Sequence, residues 1–516
     1  MADSSLTDNE LVQFLDQGFL VLALDDVSVE THDALFEEAR EAYAASAKLS
    51  DSRLSLDLIA DNIPARIPRI REILESTPIN RALDGVLGPH HFRHPHCFIH
   101  QNSKLDQGFH KDSHFPWGLR AGPRSHRPNW AMLFYYPQDT TVELGATEII
   151  PGTQYWSVDQ EIDSYVHGED RLDYEFDPTK EPDEQIVASA KRLDSNISAC
   201  HIVVPKGSAV LVDFDLFHRG TRCTTDGERF LYKFWYARTT EPRPRNPINN
   251  LKSSDPRREP CVQTIGAWLT GSSAEVSIET WSQTNEAQRL ARSYVAAATK
   301  EPWLRTDLSS PNETVRRAAM YGLSACGEFG IEPALIACKD DHWGVRKSAV
   351  FVLGEIGVYR DDVVTTLATI VKDDINDEVR AAALTSIGRI ARKNLRTNPS
   401  IIDALIDAIL PGIDLVIEIG RGKIPMNRVQ QATALSILTI ATEAIEANFT
   451  DQPLERLADI AVEMAYRGND RYAAGTAIET AKRLAEAGVN TAISAILSKL
   501  SLDRWTPSPE VRSVIR

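Results

Sequence analysis

Residues 130–136 read Trp130-Ala131-Met132-Leu133-Phe134-Tyr135-Tyr136, an unbroken apolar run with the length of one buried strand. Similar runs recur between about residue 92 and residue 240, separated by the turn pairs Pro-Gly, Lys-Gly and Asp-Gly. They are residues 147–150, 208–212 and 230–236. Several short strands divided by such turns predict a β-sandwich or a jelly-roll barrel.

The residues before these runs predict a helix followed by a strand. Thr7 and Glu10 have the spacing of a capping box, Gly18 ends the helix, and residues 19–22 form the strand. A second helical stretch follows over residues 34–42. Residues 159–194 are polar and acidic, and we interpret them as an insertion of the kind that often forms a lid.

Helical periodicity replaces this pattern beyond about residue 275. Val-Arg pairs at Val315, Val345 and Val379 follow polar turns and precede alanine-rich segments, with steps of 30 and 34 residues. Weaker copies begin near Val429 and Tyr472. The pattern resembles HEAT repeats and predicts an all-α HEAT-like solenoid over residues 276–516, against the alternative of a non-repetitive helical bundle. Residues 1–275 form the other predicted domain.

The composition is that of a folded protein with more than one domain. The chain has 516 residues, of which 42% are hydrophobic and 25% charged, and a net charge of −17 that argues against a nucleic-acid or anionic-membrane partner. Six scattered cysteines without a paired motif indicate a reducing compartment. The sequence begins without a secretory signal and has no membrane-spanning apolar stretch, so we expect a cytoplasmic protein.

Two histidines and a carboxylate suggest a metal site. His110 and Asp112 would share one face of a strand, and His218 ends an apolar run far downstream. Two imidazoles with one carboxylate form the facial triad of non-haem Fe(II) sites. Chance also produces such spacing in a chain with thirteen histidines. A rival set, His167, Glu169 and His201, fits a solvated loop more simply.

Arg229 lies eleven residues after His218, at the start of an apolar strand. A 2-oxo acid that chelates iron leaves a distant carboxylate, which a guanidinium group could hold through two hydrogen bonds. The alternative interpretation is an arginine on the surface at the end of a strand.

Residues 6–238 resemble the phytanoyl-CoA dioxygenase family of Fe(II)/2-oxoglutarate-dependent oxygenases. The resemblance lies in four separate motifs: Phe14-x-x-x-Gly18-Phe19, His110-Lys111-Asp112 followed by Phe115-Pro116, the segment from Gly145 to Thr153, and Lys206-Gly207-Ser208 leading to His218 and Arg229. Two positions depart from the family: Lys111 replaces a common Gln or Ser, and Leu144 replaces a frequent Asn.

The resemblance implies a double-stranded β-helix (jelly-roll) domain with flanking helices. It also implies that His110, Asp112 and His218 ligate Fe(II) and that Arg229 binds the C5 carboxylate of 2-oxoglutarate. Gln101 and, after it, His100 are candidates for a further co-substrate contact. With O₂, such enzymes oxidise a C–H bond and release succinate and CO₂. Related halogenases lack the carboxylate ligand, so Asp112 favours oxygenation.

Substrate residues are expected beside the triad. His114, Trp117 and Arg120 follow it, and Trp130 and Tyr135 lie on the next strand, where each could equally belong to the core. A basic cluster of Arg120, Arg124, His126 and Arg127 hints at an anionic substrate, although a solvated loop explains it as well.

Two functions of different classes follow. The first is an oxygenase that hydroxylates a small molecule, with helical repeats that shape the mouth of its active site, form an oligomer or dock a partner protein. The second is an interaction protein whose repeats bind another protein, with an oxygenase domain that modifies the target or acts as a sensor.

Overall fold

The structure, a computed structural model, describes residues 6–50, 55, 58–61, 63–112, 126–156, 198–272, 286–413, 427–450, 452–467 and 470–501. The predicted insertion at 159–194 and the substrate candidates His114, Trp117 and Arg120 lie outside these residues. So do His167 and Glu169 of the rival metal set and Arg124 of the basic cluster.

Eight strands form two antiparallel sheets in the described part of the first 240 residues. A five-stranded sheet has the order β1-β6-β3-β8-β2, and a three-stranded sheet has the order β5-β4-β7. The strands are β1 Phe19–Ala23, β2 Phe92–Gln101, β3 Trp130–Tyr136, β4 Thr147–Ile149, β5 Cys200–His201, β6 Ser208–Asp213, β7 His218–Gly220 and β8 Phe230–Ala237. The strands predicted from the apolar runs are confirmed.

The central strands are mostly apolar because both faces of the larger sheet are covered. Leu133 and Tyr135 of β3 pack with the N-terminal helices, whereas Met132 and Phe134 pack with Ile149 of the smaller sheet. All residues of β3, β6 and β8 are buried. Burial of alternate side chains on opposite faces therefore produces the continuous runs seen in the sequence.

Helices cover one side of the larger sheet. They are α1 Asp8–Gln17, α2 Val29–Ser46, α3 Ile63–Arg66, α4 Ile70–Leu74 and α5 Thr77–Leu87. Thr7 and Glu10 form the predicted capping box, and Gly18 ends α1 with a φ of 83°, a left-handed conformation that glycine adopts without a steric penalty. A short 3₁₀ helix, Thr153–Tyr155, follows β4.

Helices make up the described chain from residue 259 onward. They are α6 Glu259–Leu269, α7 Glu286–Thr299, α8 Trp303–Asp307, α9 Glu313–Ala325, α10 Ile331–Ala337, α11 Trp343–Ile356, α12 Asp361–Asp373, α13 Asp377–Asn394, α14 Ile402–Ile409, α15 Arg428–Glu446, α16 Gln452–Arg467, α17 Arg471–Glu486 and α18 Asn490–Ser501. Short 3₁₀ helices lie at Gly327–Gly330, Pro399–Ile401 and Leu410–Gly412. No described helix is both long enough and apolar enough to cross a membrane.

The repeat positions found in the sequence all begin helices. Val315, Val345, Val379, Val429 and Tyr472 lie in the first turns of α9, α11, α13, α15 and α17. Each of these helices has a side-chain N-cap, supplied by Asn312, His342, Asn376, Asn427 and Asp470. These helices pack side by side in chain order. The sequence repeat therefore corresponds to a structural repeat.

The helical region packs directly against the sheet region. Helix α17 contacts β2, and Arg483 donates hydrogen bonds to the backbone carbonyls of His90 and His91. Arg392 of α13 forms an ion pair of 2.9 Å with Glu241, which follows β8. One hydrophobic core runs through both regions. The predicted domain boundary near residue 275 falls outside the described residues and stays a prediction.

Candidate metal centre

His110, Asp112 and His218 come together at the edge of the smaller sheet. His110 and His218 face each other across an antiparallel bridge with backbone hydrogen bonds of 3.0 and 3.1 Å. Oδ1 of Asp112 lies 3.8 Å from Nε2 of each histidine. One ligand atom from each residue falls within 4.8 Å of the others, so the three side chains could hold one metal ion.

The backbone fixes the orientation of both imidazoles. Nδ1 of His110 lies 2.9 Å from the carbonyl oxygen of Gly108, and Nδ1 of His218 lies 3.1 Å from that of Leu216. Each Nδ1–H therefore donates to a carbonyl, which leaves the Nε2 lone pairs directed into the site.

The protonation states suit a metal ion. Burial and the nearby Lys233 hold the pKa of His218 well below its ordinary value, and burial also lowers the pKa of His110. Burial alone would raise the pKa of Asp112, but Lys233 and the two histidines more than offset it and lower the pKa. Neutral imidazoles and an ionised carboxylate are the forms that bind metals.

The second oxygen of Asp112 is held by two residues of β8 that sequence reasoning did not assign to the site. Nε1 of Trp235 donates to Oδ2 over 3.1 Å, and Nζ of Lys233 lies 2.6 Å from the same atom. Nζ of Lys233 also lies 3.2 Å from Nε2 of His218. Both residues lie in the predicted strand 230–236, at alternate positions after Leu231. This alternation indicates that they share one face of the strand, which is how the sequence could have linked them.

Lys111 lies between two metal ligands in the sequence, but its side chain is held by other residues. Its ammonium group donates to the backbone carbonyls of Thr153 and Trp156. This departure from the family pattern therefore anchors the turn after β4 and leaves the metal ligands unchanged.

A cavity of about 340 Å³ adjoins the triad. Its walls include the co-substrate candidates Arg229, His100 and Gln101. The guanidinium group of Arg229 is buried, with the residue 3% exposed, and no described acidic side chain forms an ion pair with it. Its Nε has no hydrogen-bond partner among the described residues. An isolated buried cation of this kind is costly unless a ligand supplies the anion.

The predicted substrate residues Trp130 and Tyr135 are not among those that line the cavity. Trp130 packs on Phe214 and His94, and Tyr135 is fully buried with its hydroxyl 2.8 Å from Nδ1 of His32. Both lie in the core, which is the alternative that the sequence left open for each of them. They sit on the larger sheet at positions whose side chains pack against neighbouring aromatic groups.

The described members of the basic cluster also lie elsewhere. Arg127 forms an ion pair of 3.3 Å with Glu355 of α11, and Nδ1 of the buried His126 bonds to the carbonyl oxygen of Gln154. Arg127 therefore links the sheet region to the helices, as does His126, whose ring centroid lies 4.6 Å from that of Tyr321 on α9. His201, the described member of the rival metal set, pairs with Glu148 in β5 and β4.

Fold and site together define a two-sheet protein with a two-histidine, one-carboxylate centre beside a cavity lined by Arg229, which forms no ion pair with the described acidic residues. Residues 2–231 match the phytanoyl-CoA dioxygenase family, which confirms the resemblance drawn from the motifs. Residues 301–388 and 331–411 match HEAT repeats. No curated protein matches the chain.

Solved structures similar to this chain include non-haem oxygenases. The alpha-ketoglutarate-dependent carbocyclase SnoK from nogalamycin biosynthesis is 15% identical, with 46% of this chain and 85% of that chain covered and a TM-score of 0.32. EctD from S. alaskensis, solved with 2-oxoglutarate and 5-hydroxyectoine, is 16% identical, with 46% and 78% covered and a TM-score of 0.34.

Proposed function

We propose that the protein is an Fe(II)- and 2-oxoglutarate-dependent oxygenase that hydroxylates a small molecule. One observation carries the proposal: the His110, Asp112 and His218 centre opens into the same cavity as Arg229, a buried cation that forms no ion pair with a described acidic side chain. A metal triad by itself would also suit other metals. The added guanidinium group suits a chelating acid with a second carboxylate.

The residues fit Fe(II) in both chemistry and arrangement. His110 and His218 would supply Nε2 atoms, and Asp112 would supply Oδ1 while Trp235 and Lys233 hold its other oxygen. Two imidazoles and a carboxylate leave positions on iron for a co-substrate and O₂. Bound there, Fe(II) with 2-oxoglutarate supplies the oxidation of a C–H bond by O₂, with release of succinate and CO₂.

The cavity has its own part in the reaction. Arg229 would bind the far carboxylate of 2-oxoglutarate, with His100 and Gln101 beside it, and so orient the co-substrate toward the triad. Phe98, Phe134 and Leu231 supply apolar wall that excludes water. The volume suits a small-molecule substrate. The cavity does not add support for the anionic substrate predicted from the basic cluster, because its cations Arg219 and Lys233 pair with Glu148 and Asp112, and Arg229 is assigned to 2-oxoglutarate.

The two antiparallel sheets support a jelly-roll assignment for the first domain, and the row of packed helices supports a solenoid for the second. The retained carboxylate Asp112 favours oxygenation over halogenation.

The test is anaerobic addition of Fe(II) and 2-oxoglutarate, followed by O₂ and measurement of succinate. The wild-type protein should develop a metal-to-ligand charge-transfer band in the visible range and release succinate. His110→Ala and Asp112→Ala should lose the band and turnover, because each removes a metal ligand. His201→Ala, which changes the rival set, serves as the control and should keep both. A band that survives in Asp112→Ala with full oxygenase activity would disprove the assignment.

A further inference from the structure

A buried polar cluster joins the helical region to the sheet region behind the cavity. Oδ1 of Asp61 lies 2.7 Å from Nδ1 of His96 on β2, and its Oδ2 lies 2.6 Å from Nη2 of Arg471 on α17. The hydroxyl of Tyr472 lies 3.2 Å from Oδ2 of Asp61 and 3.3 Å from Nδ1 of His96. Helix α17 thus supplies two of the four side chains.

The cluster contains charges that are almost fully removed from water. The side chains of Asp61, His96 and Arg471 are 2%, 5% and 9% exposed. Burial alone would raise the pKa of Asp61, but His96 and Arg471 outweigh it and hold the pKa below its ordinary value. Buried ion pairs contribute little net stability compared with apolar packing, but they fix geometry. Asp61 also has a φ of 48°, a conformation that costs energy outside glycine.

Two further contacts link this cluster to the metal centre. His96 lines the cavity, and its ring packs edge-on against Trp235 with the centroids 4.5 Å apart. Nε1 of Trp235 donates to Oδ2 of Asp112. That hydrogen bond depends on the orientation of the indole, and His96 packs against the indole ring. Among the described residues, His96 and Trp235 thus connect the Asp61 carboxylate to the Asp112 carboxylate.

We propose that helix α17 positions the metal-binding carboxylate, with Tyr472 and Arg471 acting through Asp61, His96 and Trp235. The helical region is then a working part of the catalytic unit in addition to any partner that it binds. The inference rests on the proposed function in one respect, namely that Asp112 binds a metal ion. Partners that orient metal ligands typically change metal affinity by about 10- to 100-fold, and an effect relayed through two residues should be smaller.

Arg483 of the same helix provides a control, because it contacts the sheet region without reaching the cavity. Arg483 donates hydrogen bonds to the backbone carbonyls of His90 and His91 and to the hydroxyl groups of Thr239 and Thr442. None of these five residues lines the cavity. Arg483→Met therefore removes more of the contact between the regions than Tyr472→Phe, which deletes one hydroxyl group.

The experiment compares Co(II) affinity and thermal unfolding in the full-length protein, with Co(II) as the probe in place of Fe(II). Tyr472→Phe should weaken Co(II) binding by about 5- to 10-fold and change the cobalt absorption spectrum, with little loss of melting temperature. Trp235→Phe should weaken binding further, because it removes the direct hydrogen bond. Arg483→Met should lower the melting temperature and leave Co(II) affinity within about twofold, since it does not reach the cavity.

Co(II) affinity and spectrum unchanged in Tyr472→Phe would overturn the inference. An equal loss of affinity in Arg483→Met would also overturn it, because docking alone would then explain the effect. Absence of Co(II) binding by the wild-type protein would instead reject the proposed function, and the inference would fall with it.

Discussion

Arg219 and Arg229 are buried cations that line the same cavity, but they differ in whether a described acidic side chain pairs with them. Arg219 is 2% exposed and lies 2.6 Å from Glu148 through Nε and 2.5 Å through Nη2. Arg229 is 3% exposed, and no described acidic side chain forms an ion pair with it. Glu148 supplies the counter-charge of Arg219, whereas no described residue supplies one for Arg229, which the proposed function pairs with 2-oxoglutarate.

This difference separates two uses of a buried cation. A guanidinium group with its own carboxylate is neutralised during folding, and its removal leaves the acid buried without a partner. A guanidinium group without one is paired only when an anion binds, so its removal should cost binding and spare the fold. Substitution of Arg219 therefore tests stability, and substitution of Arg229 tests binding of the anion.

The largest effect is expected for Arg219→Met. It leaves Glu148 buried and unpaired, which should lower the free energy of unfolding by about 3–5 kcal/mol. Urea unfolding measures the loss, and 2-oxoglutarate affinity should stay within about threefold. Arg360→Met is the matched control, because Arg360 also has an acid at 2.5 Å, Asp362, but these two side chains are 37% and 51% exposed. An exposed pair contributes about 0–1 kcal/mol. Equal losses in the two variants would show that burial does not distinguish them.

The second largest effect is expected for Arg229→Met, on the affinity for 2-oxoglutarate. Loss of two charge-assisted hydrogen bonds should raise the dissociation constant of 2-oxoglutarate by about 100-fold. Stability should hold or rise, because no protein carboxylate loses its partner. Arg229→Lys keeps the charge without the planar fork and should fall between the two. Titration of the charge-transfer band measures the affinity. If Arg229→Met is destabilised as much as Arg219→Met and binds 2-oxoglutarate normally, then Arg229 stabilises the fold and does not bind the co-substrate.

The sequence predicted the parts of the fold whose cause is local. Strands β3, β6 and β8 are buried on both faces, so they appear as apolar runs, and the helix starts carry polar caps. The first part of strand β2 was harder to see, since Phe92–Gln101 contains three histidines and an arginine. Two of those histidines, His94 and His96, are buried against Tyr472 of α17. A polar strand in the core depends on a partner hundreds of residues away, and periodicity does not report such a partner.

The candidate site was also predicted only in part, because local sequence patterns do not show which distant residues a side chain meets. Spacing and the family resemblance selected His110, Asp112, His218 and Arg229, all of which line the cavity. Trp130 and Tyr135 were chosen because they are aromatic and close in sequence, but the sheet turns them into the core. Lys233 and Trp235 escaped notice because an alternating strand identifies a shared face without showing what that face meets.

Lys233 is a third buried cation in the cavity and an intermediate case. Its acid, Asp112, lies 2.6 Å away, as close as the acid of Arg219, yet the same carboxylate is the one proposed to bind iron. Its counter-charge is therefore shared with a metal ion. If pairing decides the role of a cation, Lys233 should affect metal binding more than either folding or 2-oxoglutarate.

We expect Lys233→Met to tighten Co(II) binding by about tenfold. A positive charge within a few ångströms of the metal position opposes the ion, and about 1.4 kcal/mol of relieved repulsion gives that factor. The remaining hydrogen bond from Trp235 should still orient Oδ2 of Asp112. Lys206→Met, which removes an exposed lysine paired with Asp33 at 2.5 Å, is the control and should leave Co(II) affinity unchanged. Weaker binding in Lys233→Met would mean that the ammonium group orients Asp112 more than it repels the metal. Lys233 would then resemble Arg219, a cation whose role is to pair with an acid of the protein.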